Sequence, residues 1–439
     1  MDERELRAVD QTALWHPFTQ MEGYADELPA PPIIERAEGN WLIDIHGRKF
    51  LDANCGYWCL ALGCRPQAVE NAIREQLQKF SHSTLLGLSH VPAIELAKKL
   101  TGLAGAPLNH VFFADSGSEA VEAALKMSYQ YWCHKGQPER SEFLALGAAY
   151  HGDTLGAVAA GGIDLFHAAF KPLLFPVRRV PAPDGGPDCA ALIEREIEAH
   201  CKTLAAVVIE PFLLGPGGVI AQPEGYLERV LAAAKKFGVL AIFDEVAVGM
   251  GRLGTLFAFE QLQTEMRPDI VCLAKGLTGG LLPLSAVLAA EHVYAAFLGK
   301  FSERKTFFHG HTFTGSALGC AAALAALDEL TRPGFLERVR QETMPHFWRV
   351  LENLRGHPKV RRVRGRGMMA GVEVARSENS EYVWEERAGH RVVLAMRARG
   401  VQTRALGNVV LAVPPLTILP DEIELLGRVL RESLDELES

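Results

Sequence analysis

Four short polar runs each follow directly on a compact apolar run, and each carries a side chain suited to chemistry. The first is Ala114-Asp115-Ser116-Gly117-Ser118-Glu119-Ala120, placed just before a long amphipathic stretch. Small residues and free N–H groups at a helix start form an anion site; the plain alternative is a helix cap by Ser116 or Ser118. The second, Tyr150-His151-Gly152-Asp153-Thr154, offers an aromatic ring that either stacks on a flat heterocycle or closes the rim of the core. The third is Asp244-Glu245, at the end of the run 240–243. A carboxylate there needs a partner: a protonated pyridine nitrogen, or an arginine such as Arg252. Glu210 ends its own run and poses the same choice. The fourth is Cys272-Leu273-Ala274-Lys275-Gly276. A lysine so placed either snorkels to the surface or is functional, because desolvation lowers its pKa and makes the amine a nucleophile for Schiff-base chemistry. No run decides the matter alone. Together they supply an anion cradle, a stacking ring, an acid for a ring nitrogen and a nucleophilic lysine, the set that pyridoxal phosphate requires.

Those residues need elements to hold them. Apolar runs at 111–113, 143–146, 205–209, 240–243, 270–273 and 284–288 alternate with amphipathic stretches such as 118–134 and 225–237. Continuous apolar strands separated by helices indicate a parallel sheet covered on both faces, with ligands at the carboxyl ends of its strands. After Pro333 the pattern predicts a helix over 335–354, a strand over 368–374, a helix over 386–399, a strand over 408–413 and a helix over 421–438. Near the start it predicts a helix over 2–14, an irregular stretch ending at 28–32, and strands over 33–35 and 40–45. The expected architecture is α/β: a large domain over 57–332 with a mostly parallel central sheet, and a smaller α+β domain built from 1–56 and 333–439.

Composition removes other classes. The 439 residues are 48% hydrophobic, ample for a large core, and the net charge of −8 contains no long run of one sign. A broad basic face for nucleic acid is therefore not expected. The eight cysteines show no C-x-x-C pair; Cys55, Cys59 and Cys64 lack nearby histidines and read as reduced thiols. His309 and His311, with Glu303 near, lack a third ligand at convincing spacing, so no metal is expected. The first residues are charged and no apolar stretch is long enough to span a bilayer, which predicts a cytoplasmic protein without a membrane partner. Gly249-Met250-Gly251-Arg252-Leu253-Gly254 fits G-x-G-x-x-G. It is separated from its strand by 245–248, and Asp269 precedes a strand instead of ending one, which argues against a dinucleotide site.

Over nearly its whole length the chain resembles the class III (ω-type) aminotransferases of fold type I. The resemblance lies in Asp115-Ser116-Gly117-Ser118, Tyr150-His151-Gly152-Asp153, Asp244-Glu245-Val246, Gly249-Met250-Gly251-Arg252, Ala274-Lys275-Gly276 and His309-Gly310-His311-Thr312-Phe313. Within that class it is similar to the 7,8-diaminopelargonate synthases of biotin biosynthesis, which aminate 8-amino-7-oxononanoate. The residues behind this are Trp15-His16-Pro17-Phe18-Thr19-Gln20-Met21, Gln130-Tyr131-Trp132, Leu406-Gly407-Asn408 after Arg404, and Pro414-Pro415.

The resemblance implies pyridoxal 5'-phosphate as cofactor and a homodimer whose active site is shared between subunits. It places Lys275 as the Schiff-base lysine and proton carrier, Asp244 at the ring nitrogen and Tyr150 on the ring. Gly117 and Ser118 hold the phosphate, with Thr312 from the neighbouring subunit. His151 joins the cofactor residues, Glu210 and Asp153 lie near them, and Phe18, Tyr57, Trp58 and Arg404 form the substrate side, Arg404 taking the substrate carboxylate. Many relatives have tyrosine at Phe18, a Trp-Trp pair at Tyr57-Trp58 and tyrosine at Leu411. Ser83-Thr84-Leu85-Leu86-Gly87 and Phe308-His309-Gly310-His311 are more like relatives that use lysine as amino donor than those that use S-adenosylmethionine. The segment 184–187 resembles a shortened loop. The alternative acceptor chemistry is that of a general ω-aminotransferase working on amines or ω-amino acids with pyruvate.

Overall fold

The computed structural model describes residues 1–437, apart from 25, 28, 29, 185, 187, 188 and 378. Parts of the expected irregular stretch at 28–32 and of the loop at 184–187 lie outside the described residues. At the centre is a seven-stranded sheet of β1 (His110–Ala114), β2 (Glu142–Leu146), β3 (Arg178–Val180), β4 (Leu204–Ile209), β5 (Leu240–Asp244), β6 (Ile270–Leu273) and β7 (Ser285–Ala289). Their order across the sheet is β1-β7-β6-β5-β4-β2-β3. Every residue of β4, β5, β6 and β7 is buried, which is why these strands read as unbroken apolar runs without alternation.

The sheet is mostly parallel, as expected, with one strand reversed. β7 is antiparallel to both β6 and β1, whereas β5 is parallel to β4 and β6, and β2 to β3 and β4. An apolar run reports burial on two faces and is silent about direction, so its sequence gave no warning. β3 escaped notice because two of its three residues are arginines.

The helix α1 (Gly117–His134) lies on the sheet through Ala120, Val121, Ala124, Leu125 and Ser128, whose spacing of three and four builds one buried stripe. Trp132 anchors its far end by donating from Nε1 to the Ala205 carbonyl at 2.8 Å. The predicted helix over 335–354 is continuous over 335–352 but carries a π turn at Val339–Thr343 between α-helical Phe335–Arg338 and Met344–Glu352. Pro345 just after the π turn accounts for it, since it cannot donate to the preceding turn.

The chain ends meet. Strands Ile34–Glu38, Trp41–Asp44 and Lys49–Asp52 form a sheet completed by Val401–Gln402, which pairs parallel with Lys49–Asp52. A second small sheet holds Val360–Arg366, Met369–Val374, Val409–Ala412 and Ala405–Leu406. Val360–Arg366 went unpredicted because its alternating arginines mask the apolar face of an edge strand. Among the described residues no helix is long and apolar enough to cross a membrane.

Candidate active site

The register of the central sheet brings the predicted residues together. Phe243 is level with Ile209 on β4 and Asp244 with Cys272 on β6. Glu210, Asp244 and Lys275 therefore emerge side by side at the carboxyl ends of adjacent strands, where α/β sheets place ligands. Gly117 and Ser118 follow β1, and Tyr150 follows β2. Because β7 runs backwards, the chain entering it, Pro283 and Leu284, faces the same cavity. That cavity has a volume of about 400 Å³ and is lined by Gly117, Ser118, Tyr150, His151, Glu210, Asp244 and Lys275.

Gly117 opens α1. The Ser116 side chain accepts from the Glu119 N–H, and Glu119 accepts from the Asp115 and Ser116 N–H groups. Both the helix-cap and anion-site readings of this segment thus apply, to different groups: Ser116 caps the helix, and the Gly117 and Ser118 N–H groups have no partner among the described residues. A Cβ on Gly117 would stand 2.6 Å from Val246 Cγ1, and one on Gly152 would stand 2.1 Å from Ser118 Oγ. The backbone can line this cradle only without side chains.

Asp244 and Glu210 differ in how they are held. Asp244 Oδ2 lies 2.7 Å from His151 Nδ1, both groups buried, and its Oδ1 accepts from the Val246 N–H at 3.1 Å. The histidine, and not Arg252, is its partner. Arg252 is fully buried elsewhere, donating to the Met368 and Pro414 carbonyls and to Cys55 Sγ. Burial acts to depress the His151 pKa, but the hydrogen bond and charge of Asp244 outweigh it and the net shift is upward. His151 Nε2 is buried without a hydrogen-bond partner among the described residues. Glu210 accepts from the Tyr150 N–H at 2.9 Å and the Gly215 N–H at 3.0 Å. Burial nevertheless pushes its carboxyl up to about 7.

Lys275 stands at φ 38°, with Nζ 5.4 Å from the centre of the Trp58 ring. The residue keeps some exposure to the cavity mouth. Burial lowers the pKa of its ammonium, against the upward pull of Asp244, Glu210 and Cys59. Tyr150 is fixed at both ends, through its N–H to Glu210 and its hydroxyl to Asp153 Oδ2 at 2.7 Å. Burial, then Asp153, raises its pKa far above the ordinary tyrosine value, so it stays a neutral ring. Asp153 also donates its N–H to Ser118 Oγ at 3.2 Å.

Of the predicted substrate residues, Tyr57 lines the cavity, with Trp58 and Arg404 next to its ring and Phe18 beside Arg404. Tyr57 and Trp58 stack with ring centres 5.5 Å apart and planes 4° from parallel. The Arg404 guanidinium sits 5.5 Å from the Tyr57 ring and 5.8 Å from that of Phe18, with no carboxylate within ion-pair distance among the described residues. Phe18 in turn meets Phe166 edge-on at 5.3 Å. Tyr57 and Trp58 hang on an unusual backbone: Cys55, Gly56, Tyr57 and Trp58 have φ values of 53, 54, 68 and 75°. A left-handed turn costs a non-glycine residue roughly 1–2 kcal/mol, so the fold must hold these residues there.

Thr312 is exposed and does not line the cavity of this chain. Nor do the segments 83–87 and 308–311 that suggested lysine as donor. Gln130 and Trp132 serve packing, donating to the Thr306 and Ala205 carbonyls, and Asn408 donates to the Tyr382 carbonyl. Sequence reasoning missed Val246, which faces Gly117, as well as Cys59 and Asp52. Val246 lies in the turn just after Asp244, where no periodicity marks it. Nothing local marks Cys59 or Asp52.

The family model Aminotransferase class-III matches residues 24–434 of the chain. The chain belongs to the class III aminotransferases. This aminotransferase is 43% identical to the adenosylmethionine-8-amino-7-oxononanoate aminotransferase of Geobacter sulfurreducens, over 99% of this chain and 98% of the relative. The crystal structure of the protein of that name from Methanocaldococcus jannaschii superposes with a TM-score of 0.97 at 41% identity, covering 100% of both chains. A thermostable (S)-enantioselective ω-transaminase from Thermomicrobium roseum superposes with a TM-score of 0.93 at 33% identity, covering 100% of this chain and 99% of that one.

Proposed function

We propose that this aminotransferase uses pyridoxal 5'-phosphate to transfer an amino group from S-adenosylmethionine to 8-amino-7-oxononanoate, giving 7,8-diaminononanoate, the biotin-pathway step. The observation that carries the acceptor is Arg404: a guanidinium without a carboxylate partner, backed by Phe18 and Tyr57, beside the cavity that holds Lys275. A planar fork there suits a carboxylate, and the aromatic faces suit an aliphatic chain. Relatives named for this reaction match over the full length. Their names carry adenosylmethionine. The donor in the proposal is therefore adenosylmethionine.

The residues fit the cofactor. The free N–H groups of Gly117 and Ser118, at a cradle that a Cβ would fill, take its phosphate, with Thr312 of a second copy completing the site. Tyr150 and Val246, which both line the cavity, would flank its ring. Asp244 holds a proton at the ring nitrogen, and the His151 hydrogen bond at 2.7 Å keeps its carboxylate oriented. When bound, pyridoxal phosphate supplies a carbonyl carbon for amine exchange and a ring that takes up the electron pair left at Cα. Lys275 Nζ, its amine made available by burial, forms the link to the cofactor and moves the proton at Cα. Donor and acceptor then use the same space in turn, so initial rates follow ping-pong kinetics.

The test loads the enzyme with pyridoxal phosphate and offers 8-amino-7-oxononanoate with adenosylmethionine, lysine or alanine. Diaminononanoate formed with adenosylmethionine is the expected result, and product with lysine alone transfers the donor role to lysine. No product with any donor, alongside turnover of simple amines with pyruvate, would overturn the acceptor and place the enzyme with the general ω-transaminases.

A further inference from the structure

The left-handed turn Cys55–Trp58 is strained, presents the Tyr57 ring to the cavity with Trp58 buried beside it, and has a conspicuous support. Arg252 lies behind it, 2% exposed, with no carboxylate within ion-pair distance among the described residues. A buried guanidinium without a contacting counter-ion is costly to keep. Its donors go to Cys55 Sγ at 3.0 Å, the Pro414 carbonyl at 2.6 Å and the Met368 carbonyl at 3.3 Å. It thus joins the turn to two separate segments of the C-terminal part of the chain.

The turn is braced from its other side as well. Asp52 accepts from the Asn54 N–H at 3.1 Å and the Gly56 N–H at 2.7 Å. Asn54 Oδ1 accepts from Trp58 Nε1 at 3.2 Å. Behind the Trp58 ring stands Gly215, where a Cβ would come within 2.9 Å of Cζ3, so the ring has one seat.

We propose that Arg252 is a positioning residue for acceptor binding: by tying Cys55 to Pro414 and Met368 it holds the left-handed turn that sets Tyr57 and Trp58 against Arg404 and Lys275. It touches neither substrate nor cofactor. Its planar fork is what reaches three acceptors at once, and lysine, a single ammonium, cannot replace it. The proposal rests on the reading of these residues as the acceptor side.

The test is Arg252→Lys in the cofactor-loaded enzyme. The expected result is a KM for 8-amino-7-oxononanoate raised roughly tenfold with kcat within about twofold, the pattern of lost ground-state binding. Adding Cys55→Gly, which relieves the left-handed backbone at that position, recovers part of the KM change in the double variant. A second readout needs no substrate: acrylamide quenching of Trp58 fluorescence, isolated by subtracting the Trp58→Phe counterpart, increases in Arg252→Lys. An unchanged KM, or equal losses of kcat and cofactor binding with no rescue by Cys55→Gly, would overturn the proposal. If the parent enzyme does not turn over the oxononanoate, the acceptor reading fails by itself, and unchanged quenching of Trp58 then decides against Arg252.

Discussion

Under the proposed function, Lys275 carries the chemistry and Arg404 the recognition. Lys275→Ala is expected to keep pyridoxal phosphate through the cradle at Gly117 and Ser118, and to lose roughly 10²–10⁴-fold or more in kcat, with loss of the absorbance due to the lysine-linked cofactor. Near-normal turnover would remove Lys275 from its role. Arg404→Ala is expected to raise the KM for 8-amino-7-oxononanoate roughly tenfold to a hundredfold, the scale of one charge-assisted pair. An unchanged KM would clear Arg404 of carboxylate binding. At this scale the cofactor residues were legible because each one closes an apolar run: Asp244, Glu210 and Lys275 stand where strand ends had to be. Arg404 and Phe18 carried no such mark and came only through resemblance. The contact between His151 and Asp244 was not legible, because ninety-three residues separate them and only the strand register sets them 2.7 Å apart.

Elements set the second scale, and Glu245 shows how one carboxylate organises a turn. It is buried, accepts from the Ala258 and Phe259 N–H groups at 2.6 and 2.7 Å, and so fixes the short helix Ala258–Gln261. Burial outweighs those bonds and pushes its carboxyl from an ordinary 4.5 up to about 8. Between those values the folded protein holds a proton that the unfolded chain has released. Stability at this site is therefore full below about 4.5 and falls as pH rises towards about 8, by an amount on the order of a few kcal/mol. Urea titrations of the parent and of Glu245→Gln from pH 5 to 8 are expected to show a shallower decline in the variant. Parallel declines would show that Glu245 does not titrate in that range. The strands and helices around it were legible from runs and periodicity. The reversal of β7 was not, since burial hides direction, and the π turn at Val339–Thr343 was not, since amphipathic spacing continues through it.

For the whole molecule, the exposed side chains argue for a second copy. Leu86 is 76% exposed and Phe308 77%, and their segments adjoin where His82 meets Phe313 edge-on at 5.1 Å. In the proposed homodimer these exposed apolar groups would be covered, and Thr312, in the segment of Phe308 and Phe313, would reach the neighbouring copy. Under the proposed homodimer, Phe308→Glu is expected to shift the protein to monomer in analytical ultracentrifugation and to weaken cofactor retention along with it. A monomeric parent would end the shared-site reading. One pairing described above also governs how the enzyme is made. Leu51 and Ala53 donate to the Gly400 and Gln402 carbonyls, and Val413 donates back to Ala53. The strand leading into the left-handed turn thus waits for partners synthesised some three hundred and fifty residues later. On the ribosome the lysine end of the site can form first, and the turn carrying Tyr57 and Trp58 is pinned only once the strand Val401–Gln402 has been made.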